Sequence, residues 1–87
     1  MSIKSGISEI IGKTVNEVIV NEGCPYPDFH IFILFEDSTC YEIYGSDVNS
    51  GSCLRAVTER ATKLSSCRKI TRYYKDQHGE NASEDLT

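Results

Sequence analysis

Eighty-seven residues with a net charge of −4, 39% apolar content, five Tyr, three Phe and no Trp fit one small folded domain and exclude a disordered chain. No stretch approaches the roughly 18 uninterrupted apolar residues of a membrane span, and Met1 to Gly6 lacks the apolar core of a secretory signal, so no membrane contact and a cytoplasmic location are expected. A domain this small buries only about 60% of the surface its unfolded chain exposes, so a disulfide, a metal or a second subunit would help to hold it.

Ile3, Ile7, Ile10 and Ile11 recur at helical spacing before Gly12, which predicts a short amphipathic helix from about residue 3 to 11. Thr14 to Glu22 is rich in β-branched residues, and the imperfect alternation of Val15, Val18, Ile19 and Val20 predicts a strand with a bulge. Pro25 and Pro27 end it and make Gly23 to Asp28 a rigid loop. Phe29 to Glu36 is apolar on both alternating faces, so this strand needs cover on both sides. Thr39 to Gly45 follows as a third strand with one wetter face, in a hairpin turning at Asp37-Ser38, where Ser is a poorer choice than Gly for positive φ.

Beyond the turn-rich Ser46 to Ser52, a stripe of Leu54, Val57, Ala61 and Leu64 predicts a helix from about Cys53 to Leu64, capped by Ser50 or Ser52. Arg68 to Lys75 reads as the last strand, and Asp76 to Thr87 as a mobile acidic tail outside a domain of residues 1 to 75. The expected fold is therefore α+β in the order α-β-β-β-α-β: a small antiparallel meander with one main helix packed on one face. One helix covers one side only. The other apolar side of the second strand then points to a homodimer, with His30, Phe32 and Leu34 as the candidate dimer face.

Charge is unevenly placed. Residues 51 to 75 hold seven Lys or Arg against Glu59, between two acidic segments. Arg55, Arg60, Lys63, Arg68, Lys69, Arg72 and Lys75 form a candidate basic surface, and with Tyr73 and Tyr74 interleaved they match what single-stranded nucleic acid binding uses. A half-exposed strand carries the same residue types to neutralise acidic neighbours, and the overall acidity of the chain makes a nucleic-acid partner the weaker reading.

Cys24, Cys40, Cys53 and Cys67 lack the close pairing of zinc ligands, so no metal and no cofactor is expected, and without a secretory context they read as thiols. Cys53 at a helix start, with His30 as the one candidate base in the folded part, is a weak outline for nucleophilic catalysis. No phosphate-binding loop is present: Gly12-Lys13-Thr14 imitates the end of one but precedes a strand. Tyr41, Tyr44, Tyr73 and Tyr74 are candidates for a ligand cleft between the second helix and the sheet.

The run from Ile11-Gly12-Lys13-Thr14 into a strand, followed by Glu36 to Gly45, resembles the layout of many small bacterial proteins, a likeness that transfers no active residue. The chain is expected to be a non-enzymatic interaction or regulatory module. It would act by protein–protein contact through an open sheet edge or the basic-aromatic strand. The alternatives are a small-ligand domain and, third, a single-stranded nucleic-acid binder.

Overall fold

The computed structural model describes residues 7–25, 27–46, 50–56, 64 and 66–87. Their architecture is all-β, which corrects the α+β expectation. A single 3-10 turn, Ile7–Ile10, precedes six strands: β1 (Val15–Glu22), β2 (Phe29–Phe35), β3 (Thr39–Gly45), β4 (Ser50–Ala56), β5 (Lys69–Lys75) and β6 (Asn81–Asp85). They form one antiparallel sheet in the order β4-β3-β2-β1-β5-β6, with no α-helix among the described residues.

Two misread segments account for the change. The first turn of the predicted second helix is β4, paired along its length with β3 from Gly45↔Ser50 to Thr39↔Ala56; residues 57–63, the rest of that prediction before Leu64, lie outside the described residues. The expected tail supplies β6, paired with β5 from Lys75↔Asn81 to Thr71↔Asp85. At the other end only the 3-10 turn remains of the predicted first helix, whose residues 3–6 also lie outside the described set.

The central strands follow their sequence signals. β1 pairs with β2 across a register shift between Val15 and Glu17, where the broken alternation predicts a bulge. β2 and β3 form the expected hairpin, and Ser38 takes the positive φ of 69° that the turn demands. The Asp37 carboxylate compensates: it accepts from the Thr39 amide at 3.1 Å and pairs with the Lys13 ammonium. Lys13, and after it the Thr39 hydroxyl, hold the Asp37 carboxyl at about 2, below its usual 3.8.

Side chains alternate across a strand, so the registers sort residues onto two faces. The inner face carries the core cluster of Ile19, Phe32, Leu34, Cys40 and Ile70, with Leu86 packed against it. Asn21, fully buried on the same face, accepts the Leu64 amide at 3.0 Å. The chain end is tied in as well: the Leu86 amide donates to the Ile70 carbonyl at 2.8 Å, and the Ile70 amide donates to the Thr87 hydroxyl at 2.8 Å.

Cys24 and Cys67 form a disulfide, which corrects the reading of all four cysteines as thiols; Cys40 and Cys53 keep theirs. The bond continues the β1–β5 register. Glu22 pairs with Lys69, the Arg68 amide donates to the Gly23 carbonyl at 3.3 Å, and Cys24 and Cys67 come next in the same antiparallel progression. Gly23 has φ of 64° there, and a Cβ would meet the Arg68 Cβ at 2.9 Å, so glycine is required on both counts.

Candidate functional site

The outer face has a different character. Its residues form two cross-strand rows, Tyr73-Val18-Ile33-Tyr41-Leu54 and Thr71-Val20-Ile31-Ile43-Ser52, and neither row contains a charge. Tyr41 and Thr71 are buried, whereas Val18, Val20, Ile31, Ile33, Ile43 and Leu54 are half-buried. The 3-10 turn reaches the β3–β4 flank, where Ile7 shares a small cleft with Tyr41 and Ile43.

Large apolar side chains are exposed on this side. Val15 is 52% exposed and shares the side of its register partner Phe35; Tyr73, at 47%, shares that of Val18; Ile7, at 46%, lies beside Tyr41 and Ile43. An apolar groove of about 460 Å³ runs along the β1–β5–β6 flank between Val15, Val18, Tyr73, Tyr74, Lys75 and Ala82. Its walls combine two aromatic rings and aliphatic surface with Lys75, Glu17, Asn16 and Asn81.

The expected sites are redistributed. Tyr41 and Tyr73 point to the outer face and Tyr44 and Tyr74 to the inner one, and β1 and β2 separate β3 from β5, so the four tyrosines do not share a cleft. Two of them, Tyr73 and Tyr74, line the groove. The candidate dimer face is the inner face: Phe32 and Leu34 are 0% and 7% exposed within the chain's own core, and His30 lies beside them. The surface left for contact is the opposite side of the same strand.

The basic residues are divided as well. Arg72 is engaged on the inner face, with its Nε on Glu17, its Nη1 3.8 Å from Glu84 and its guanidinium 4.0 Å from the centre of the Tyr74 ring. Arg68, Lys69 and Lys75 are exposed, with Lys69 and Lys75 on the side of Tyr73. Arg55 stands opposite Cys40 in the β3–β4 register, and Arg60 and Lys63 lie outside the described residues.

The sequence reading named Cys53 and His30 but missed the residue that joins them. Glu42, 5% exposed on the inner face, takes the His30 Nδ1 at 2.9 Å on one carboxylate oxygen and the Cys53 thiol at 3.8 Å on the other. The signal was parity: His30, Glu42 and Cys53 fall on one side once Ser50–Ala56 is read as a strand. Catalytic thiolates sit in electropositive surroundings, with a base positioned to take the proton. Here imidazole and thiol converge on one carboxylate. Among the described residues no group of three His, Cys, Asp or Glu is arranged to hold a metal ion.

Comparison with known proteins finds no matching family model, no matching curated protein and no matching solved structure.

Proposed function

We propose that this chain is a non-enzymatic contact module whose docking surface is the outer face of the sheet. The observation that carries the reading is the collection of exposed Val15, Tyr73 and Ile7 around an uncharged aliphatic field on one side of the molecule. Apolar side chains scattered singly are ordinary, but a contiguous apolar field marks an interaction site. The enzyme alternative is weakened because the Cys53 thiol and the His30 ring both meet the Glu42 carboxylate, an anionic setting that does not favour a thiolate. The nucleic-acid alternative is weakened by Arg72, whose charge is met by Glu17 and Glu84.

The test is positional. A photoreactive phenylalanine analogue replacing Tyr73, irradiated in the cells that make the protein, is expected to give a discrete higher-mass adduct. The same analogue at Gln77, in the exposed β5–β6 turn, is expected to give none. No adduct at position 73, or equal labelling at both, would contradict the reading.

A further inference from the structure

Resting on that reading, we infer that the outer face binds a second copy of this chain, the two sheets closing face to face into a sandwich about a two-fold axis. Three observations select this occupant. The first is layering. An apolar sheet face is normally buried against a second layer; here the core cluster lies on the inner face, while on the outer one only Phe35, Tyr41 and Thr71 are buried and Val18, Val20, Ile31, Ile33, Ile43 and Leu54 stay half-buried.

The second is charge. The two outer rows contain no ionisable acid or base other than the tyrosine hydroxyls, and charges on that side stand at its margin, on Glu22, Lys69, Lys75 and Asp85, with Lys13 over the Phe35 ring. Such a surface offers nothing to steer a charged partner. Laid on itself about a two-fold axis, it sets no like charges opposite one another at its centre, which an isologous interface requires.

Size is the third. The molecule measures 40 × 31 × 20 Å, so its broad side leaves room for the ~800 Å² per partner of a standard stable interface.

Sedimentation equilibrium of the purified chain from micromolar to near-millimolar concentration should give twice the chain mass, with dissociation on dilution. Ile33→Lys places a charge at the centre of the face, where the long side chain can still reach water from a single chain. This variant is expected to sediment as a monomer with an unchanged far-ultraviolet circular dichroism spectrum. Should it fail to fold, Tyr73→Glu at an already exposed position serves instead, and is expected to shift the dimer to higher concentration by tenfold or more. A monomer at every concentration, or a dimer indifferent to the substitution at the position tested, overturns the inference. A Tyr73 adduct containing a different protein, from a chain that sediments as a monomer, overturns the second-copy inference and leaves the contact reading standing. Absence of any adduct removes both.

Discussion

Replacing Cys24 and Cys67 together by Ser is expected to lower stability by about 4 kcal/mol, from the loop-closure entropy that a cross-link over 43 residues removes from the unfolded chain. Small domains hold only about 5–15 kcal/mol in total, so the loss takes a large share of the stability. The position sharpens the expectation. The bond continues the β1–β5 register, and through β5 it anchors the β6 edge to the centre of the sheet. Urea unfolding of the double variant beside the parent, with the midpoint and slope fitted together, reads the loss directly. A difference below about 1 kcal/mol would mean that the cross-link constrains nothing the sheet does not already hold. The same bond predicts two alkylatable thiols, Cys40 and Cys53, when the protein is denatured and trapped straight from cells. The cytoplasmic location expected from the sequence would keep all four reduced, so the count tests that expectation too.

Phe32→Ala is expected to cost about 3–5 kcal/mol, the range for emptying an aromatic site in a close-packed core. Phe32 is fully buried, lies between Ile19 and Glu42 in the cross-strand row of the inner face, and stacks at 6.2 Å on the His30 ring. A cavity at that point withdraws packing from the core cluster and from the ring that His30 presents to Glu42. Equilibrium unfolding measures it, and an unchanged slope would confirm that the compactness of the two end states is preserved. A cost under about 1 kcal/mol would place the core elsewhere.

What the sequence disclosed followed apolar alternation. β1, β2, β3 and β5 are legible because Val, Ile, Phe and Tyr dominate them, and their observed bounds lie within one residue of those predicted. β4 was not legible, since Ser50, Gly51 and Ser52 favour turns and Leu54, Val57, Ala61 and Leu64 match a helical stripe. Its neighbour explains how such a strand is tolerated. The Tyr44 ring lies over Gly51, so close that a Cβ there would meet it at 2.8 Å, and the aromatic covers backbone that glycine leaves bare. β6 is an edge strand whose exposed Asn81, Ser83, Glu84 and Asp85 need no apolar face, so composition described a tail.

The candidate site was half legible for a related reason. That the second strand needs cover on both sides was readable from Phe29 to Phe35, but which face the chain covers for itself depends on contacts distant in sequence, such as Leu64 to Asn21 and Leu86 to the core. Without them the candidate dimer face fell on His30, Phe32 and Leu34, on the side where the chain buries its own core. A shift of one along a strand exchanges inside and outside. The Cys24–Cys67 bond was hidden in the same way, because only the β1–β5 pairing brings those residues together.

The outer face is tested most directly by recording paramagnetic relaxation of methyl signals with a soluble gadolinium agent, at working concentration and after deep dilution. Methyls of Val18, Val20, Ile31 and Ile33 are expected to be as shielded as those of Ile19 and Leu34 when the face is occupied, and to become accessible on dilution while the inner pair stays protected. Outer methyls relaxed equally by the agent at every concentration, in the purified protein and in cell extract alike, would contradict the account.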